Sequence, residues 1–279
     1  MTNYNDKQKI KEHYDVASPY YRELWGEHLH HGYWETGSET KEEAQTALTA
    51  HLAQVARIRP GSTILDVGCG FGGSSIFLAK EYNARVVGIT ISPVQARMAR
   101  EAARTANVEA EFLVMDADHI SLSDNFDVVW SIEAISHFAD TAGFFSKAAE
   151  LMNPAGTLAL IDWFKQDDLS ESQYRELIAP IERGMFVELK TLAQYLDMIQ
   201  RSGLSVTTSS DLSSRSARTW ELASNVIKNP ALWRFASSQG AEFVRFLRSF
   251  NAMRKGFATR SFVYGMIVAR KDLPFASRV

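Results

Sequence analysis

The sequence predicts an α/β fold: a doubly wound, mostly parallel seven-stranded sheet with an N-terminal helical lid and an inserted helical cap. Three observations predict it. From Ile64 onward, short apolar runs alternate with segments of helical period, the pattern of a parallel sheet covered on both faces. The first run ends in Asp66-Val-Gly-Cys-Gly-Phe-Gly-Gly73, a glycine turn that opens a helix. Two later strand-like runs bracket a long helical stretch, which makes that stretch an insertion and not a separate domain.

The elements follow in order. Residues 1–40 form the lid, rich in Tyr, Trp and His up to Trp34. Thr40-x-x-Glu43 is a capping box, and Leu48, Leu52, Val55 and Ala56 give the next helix its apolar face. The core spans 41–165. Its strands are the run ending at Asp66, then Arg85–Thr90, Glu111–Asp116, Phe126–Ser131 and Thr157–Asp162. Ser92-Pro93 caps the helix after the second strand. Residues 166–203 read as two helices, 204–211 and 262–270 as the remaining strands, and 212–260 as the cap. Ligands of such sheets lie beyond the strand C-termini. Asp66, Thr90, Asp116, Ser131 and Asp162 therefore share one rim.

Composition narrows the class. The chain has 279 residues, 46% hydrophobic, with a formal net charge of −3, which argues against a general nucleic-acid binder. Its one cysteine, Cys69, permits no intrachain disulfide. The first residues carry no apolar signal region, and no run reaches the length of a membrane span. A cytoplasmic protein, monomer or homodimer, is expected.

Gly68-x-Gly70-x-x-Gly73 also fits a dinucleotide fingerprint, but two features argue against one. The second strand ends in Thr90, where a dinucleotide site needs an acid for the ribose. Asp66 precedes the glycines, where it would repel a pyrophosphate and favour a cation. S-adenosylmethionine, with an amino group, a sulfonium and no phosphate, meets both conditions.

The turn Asp66–Gly73 resembles the first motif of class I S-adenosylmethionine-dependent methyltransferases. His30-His-Gly-Tyr-Trp34, Gly72-Gly-Ser-Ser75, Gly88-Ile-Thr-Ile-Ser-Pro-Val-Gln95 and Trp130-Ser-Ile-Glu133 resemble the tocopherol methyltransferase group, near small-molecule methyltransferases of natural-product pathways. The resemblance implies a Rossmann-like fold, S-adenosylmethionine as cofactor, S-adenosylhomocysteine as product and a small-molecule acceptor. It places Gly68 and Gly70 at the methionine end and Thr90, Ile91 and Gln95 at the ribose. Asp116 and Ala117 then face adenine, with Asp66 and Ser131 completing the cofactor set. The alternative is that Thr90 and Gln95 only cap and decorate a helix.

Methyl transfer needs alignment and a proton acceptor. His137 matches a histidine that relatives place at the acceptor site, with Asp162 as a second polar residue and acid partner. The alternative for His137 is a helix-surface histidine bonded to a carbonyl. Tyr20, His30, His31, Tyr33 and Glu133 are the candidate lid and acceptor residues. Glu133 could equally hold the cofactor or sit in a first helical turn. The spacing of His28, His30 and His31 is not that of a zinc site, and no metal is expected. Cyclopropane-forming enzymes share His13-Tyr14-Asp15 and Thr90-x-Ser92, and hold a basic anion with Cys, Glu and His. His31, Ser136 and Asp162 stand at the matching positions, so lipid cyclopropanation is not expected.

The cap is basic, and Phe243, Phe246, Leu247 and Phe250 recur at helical spacing with Arg245 and Arg248 off the stripe. Either the stripe packs inward, or 243–257 forms a peripheral membrane contact. The expected activity is O- or C-methylation of a phenol- or hydroquinone-type or natural-product acceptor with His137 as base. The alternatives are N-methylation of a small amine, or a cyclase or binding protein of the same fold.

Overall fold

A computed structural model describes residues 6–272. The first helix, α1 (Lys7–Trp25), starts where Asp6 accepts hydrogen bonds from the Gln8 and Lys9 amides. Helix α2 (Lys41–Val55) carries the expected capping box, Thr40 and Glu43 satisfying each other's backbone amides. Next come β1 (Thr63–Val67), α3 (Gly73–Tyr82), β2 (Arg85–Thr90), α4 (Pro93–Ala106) and β3 (Ala110–Val114). Then follow β4 (Phe126–Ile132), α5 (Thr141–Leu151) and β5 (Met152–Lys165). Helices α6 (Glu171–Gln173), α7 (Ala179–Met185) and α8 (Leu192–Arg201) lead to β6 (Leu204–Asp211). A π-helical segment, Tyr174–Ile178, joins α6 to α7. The insertion before β7 (Phe262–Lys271) holds α9 (Ser213–Ser216), α10 (Arg218–Val226), α11 (Pro230–Gln239) and α12 (Ala241–Ala258).

All seven strands form one sheet in the order β3-β2-β1-β4-β5-β7-β6. Pairing is parallel up to β5, and β7 enters antiparallel between β5 and β6. This is the doubly wound, mostly parallel sheet that the alternating pattern predicts. Strand residues alternate between two cores because successive side chains point to opposite faces. Ile64, Trp130 and Ile161 join the core on one face, and Leu65, Val129 and Leu160 the core on the other.

Two strand ends differ from the sequence reading, and each moves a candidate residue. β3 stops at Val114, so Asp116 caps a single 3-10 turn, Ala117–His119. β5 runs on to Lys165 because β7 pairs with it through Lys165↔Phe262. Asp162 therefore lies inside the sheet, opposite Gly265, and not on the rim.

The apolar stripe of α12 faces inward. Phe246 and Leu247 are buried with Ala236 of α11, while Arg245, Arg248 and Arg254 are exposed. This corrects the membrane-contact reading of 243–257, because the side chains that would enter a bilayer already fill the core of the cap. Among the described residues, no helix is long and apolar enough to cross a membrane.

Candidate active site

The glycine turn, α1 and the cap helices enclose one cavity of about 270 Å³. Its wall at the sheet is backbone. Gly68 has φ +78°, and a Cβ there would lie 2.2 Å from Ala134 Cβ. Both Gly68 and Gly70 line the cavity, as do Thr90, Ile91, Gln95, Asp116 and Ala117. Thr90 Oγ1 donates to Gln95 Oε1 at 2.7 Å, and the Ser92 hydroxyl caps α4 by accepting from the Gln95 amide. Capping is thus part of what these residues do. The Gln95 Nε2 group nevertheless has no partner among the described residues and stands on the cavity.

Asp66 and Ser131 lie behind that wall and do not line it. Asp66 accepts from Ser75 Oγ at 2.5 Å, and Ser131 Oγ donates to the Val67 carbonyl at 2.8 Å. Burial pushes the Asp66 carboxyl up to about 7, against the lowering effect of the Ser75 bond. A carboxyl held up in the fold but ordinary in the unfolded chain favours folding at low pH. That contribution is lost as pH rises from about 4 towards 7. Asp66→Asn is expected to flatten the pH dependence of Tm across this window, measured by thermal unfolding without ligand.

The wall beside the glycines begins just after β4. Glu133 adopts φ +54°, a conformation unfavourable for a residue with a Cβ, and turns the chain back over the cavity. Its Oε1 accepts from the His31 amide (2.7 Å), His31 Nδ1 (2.9 Å) and Tyr264 Oη (2.6 Å). Burial alone would raise the Glu133 carboxyl, but the His31 ring and its hydrogen bond, with smaller help from His30 and Tyr264, hold it below the usual range.

His137 closes a 3-10 turn, Ile135–His137, and is buried. The helix-surface alternative is therefore wrong about its place, although the bond to a carbonyl exists. Nδ1 lies 3.0 Å from Phe186 O, and a carbonyl only accepts, so Nδ1 carries the proton. Nε2 lies 3.1 Å from Tyr14 Oη and faces the cavity as the acceptor nitrogen. Burial lowers the His137 pKa to about 4, against the raising effects of the Phe186 bond and the Glu133 charge.

Asp162 does not meet His137, which corrects its reading as an acid partner. Its carboxyl accepts from the Ser136 and Trp163 amides (both 2.8 Å), from Tyr195 Oη (3.1 Å) and from Ser136 Oγ (3.2 Å). These bonds tie the turn carrying His137 to β5. Tyr33 is also corrected: it does not line the cavity and instead stacks on His51, centroids 4.5 Å apart. Tyr20 and His31 do line it. His30 does too, its ring near the His31 carbonyl (2.8 Å) and Thr49 Oγ1 (3.2 Å). Among the described residues, no group of three or more His, Cys, Asp or Glu side chains could hold a metal ion.

Helix α1 is fastened over this site by polar contacts. Lys7 Nζ reaches Asp116 (3.2 Å) and Asp118 (2.7 Å), and Asp15 accepts from Ser92 Oγ at 2.5 Å. Among the lining residues Lys7 is the only lysine or arginine, and these aspartates pair with it. The cavity thus offers a bare backbone wall and apolar faces, with no free cation for a phosphate. That donor set fits a cationic, phosphate-free nucleoside.

The comparisons with known proteins agree. The family described as mycolic acid cyclopropane synthetase matches residues 2–261. The chain belongs to this family of class I S-adenosylmethionine-dependent methyltransferases. Its cofactor is S-adenosylmethionine. Relatives include 27-O-demethylrifamycin SV methyltransferase of Amycolatopsis mediterranei (strain S699), 31% identical over 94% of this chain and 97% of the relative. The chloroplastic tocopherol O-methyltransferase of Arabidopsis thaliana is 28% identical over 96% of this chain and 83% of the relative. The 2-methyl-6-phytyl-1,4-hydroquinone methyltransferase of Synechocystis sp. (strain ATCC 27184 / PCC 6803 / Kazusa) is 41% identical over 52% of this chain and 47% of the relative.

Sequence reasoning missed three residues of this methyltransferase's site: Lys7, Tyr264 and Phe186. Tyr264 reaches Glu133 only through the antiparallel register of β7, and Phe186 contributes a carbonyl, which any residue carries. No local signal marks either. For Lys7, the polar stretch before His13 gave no reason to prefer one lysine over another.

Proposed function

We propose that this methyltransferase acts on a phenol- or hydroquinone-type acceptor, at oxygen or at an activated ring carbon, with His137 Nε2 as general base. One observation carries the reading: Phe186 O fixes the proton on Nδ1, which makes Nε2 the accepting nitrogen, met by the Tyr14 hydroxyl at 3.1 Å in an otherwise largely aromatic and apolar cavity. Two relatives, a tocopherol O-methyltransferase and a hydroquinone methyltransferase, support the acceptor class.

Bound S-adenosylmethionine supplies an electrophilic methyl carbon on sulfur. The chain does the rest. Gly68 and Gly70 would let it lie against backbone, Gln95 Nε2 would offer a donor to its ribose, and Asp116 and Ala117 would stand at its adenine. Helix α1 serves as a lid, with Tyr14 and Tyr20 over the cavity. Asp162 positions the His137 turn through Ser136. The acceptor hydroxyl takes the place of Tyr14 Oη at His137 Nε2; as its oxygen attacks, Nε2 accepts the proton, and the nearby Glu133 charge favours the imidazolium that results.

A mass-spectrometric screen of phenols, hydroquinones, amines and glycosides tests the acceptor class. A single methyl gain on phenols or hydroquinones is the expected result, and gain on amines alone would overturn the reading. The pH profile tests the base. His137 must be neutral to accept a proton, so activity is lost as pH falls through its folded pKa. The acid limb of kcat/KM is therefore expected near 4, not near the ordinary histidine value of 6.5.

A further inference from the structure

Glu133 has a feature the base reading leaves unused. Its Oε1 is saturated by three donors, while Oε2 has no hydrogen-bond partner among the described residues. The side chain is 10% exposed, and the residue lines the cavity. The chain accepts a left-handed backbone at a non-glycine position to place it there. A carboxylate with one bare oxygen in an apolar cavity calls for a donor from the ligand.

We propose that Glu133 Oε2 selects acceptors that carry a second hydrogen-bond donor, remote from the atom that is methylated. The proposal rests on the phenol-type acceptor reading and sharpens it: one hydroxyl meets His137, and another O–H or N–H group meets Glu133. A hydroquinone carries a donor for each position, and its monomethyl ether carries one only. A carboxylate oxygen only accepts, so the ether oxygen would face it lone pair to lone pair.

Glu133→Gln makes a sharp test because the His31 amide can only donate. It holds the amide oxygen of Gln at the Oε1 position, which leaves the NH2 group where the bare oxygen was. The acceptor in the cavity becomes a donor without a change of size. The probes are trimethylhydroquinone and its monomethyl ether, compared by kcat/KM, a ratio that unproductive binding does not distort. Wild type is expected to prefer the hydroquinone by about tenfold or more, the effect of one hydrogen bond to a charged group. Glu133→Gln is expected to abolish or invert that preference while the Kd for S-adenosylmethionine, read by calorimetry, stays within about threefold.

An equal fall for both probes would overturn the proposal. So would parity between the probes in wild type, a result that needs no variant to fold. Tyr264→Phe, which loosens the carboxylate but keeps its charge, should retain the preference; its complete loss there would also count against selection by Oε2. Wild-type transfer to neither probe, while amines are methylated, would fail the acceptor reading itself, a different outcome from any of these.

Discussion

Replacing His137 with Ala is expected to lower kcat by roughly a hundredfold to ten-thousandfold, the usual contribution of a positioned base. Affinity for S-adenosylmethionine should stay nearly unchanged, since the ring meets Tyr14 and Phe186 and not the glycine turn. The variant leaves the buried Phe186 carbonyl without its donor, which costs about 1–3 kcal/mol of stability. Thermal unfolding must therefore accompany the kinetics, to show that the lost turnover is chemistry and not unfolding. Partial rescue by added imidazole would locate the loss in the missing proton acceptor. Turnover within threefold of wild type would refute the assignment.

Gly68→Ala is expected to have the largest effect on cofactor binding. Two penalties coincide there. The left-handed φ of +78° costs an L-residue about 1–2 kcal/mol. The new Cβ would also lie 2.2 Å from Ala134 Cβ, an overlap that typically costs about 1–3 kcal/mol more. Relief requires Ala134 to retreat, and Ala134 lies between Glu133 and the turn that ends at His137. The substitution should lower Tm, weaken S-adenosylmethionine binding by more than tenfold and reduce turnover together. Gly203→Ala is the control: its φ is +82°, yet nothing lies within 4 Å of the added Cβ. It should show only the smaller cost of strain, with cofactor affinity intact. Equal effects at both positions would mean that the contact with Ala134 is unimportant.

Much of this fold is legible residue by residue because its signals are local. Arg85–Thr90 is bounded in the sequence by a polar start and the Ser92-Pro93 cap, and the strand occupies those residues. Thr40 and Glu43 specify the start of α2 through bonds within four residues. The glycine turn carries its own geometry. What failed depended on distant pairing. Asp162 looks like a strand end until β7, a hundred residues later, extends β5 past it. Tyr33 sits among lid-like aromatics, but the chain docks on α2 there, with the Tyr33 amide bonded to Ala44 O, and the ring lands on His51. The stripe on α12 was legible as a stripe, but its direction was not, because period alone cannot say what covers an apolar face. His137 shows both limits: residue type and spacing marked it, while the carbonyl that fixes its tautomer had no signature.

Tyr264 links regions far apart in the chain. Its carbonyl accepts from the Leu212 amide at 2.8 Å and its amide donates to Ser213 Oγ at 2.9 Å, so the root of the inserted helices is bonded to this one residue. Its hydroxyl donates to Glu133 at 2.6 Å. The 212–260 insertion thus does not hang from a slack linker at its entry. It is pinned to β7, next to the edge of the sheet, at a residue whose side chain also steadies the cavity carboxylate. One residue thus fastens both the root of the insertion and the wall that the insertion covers.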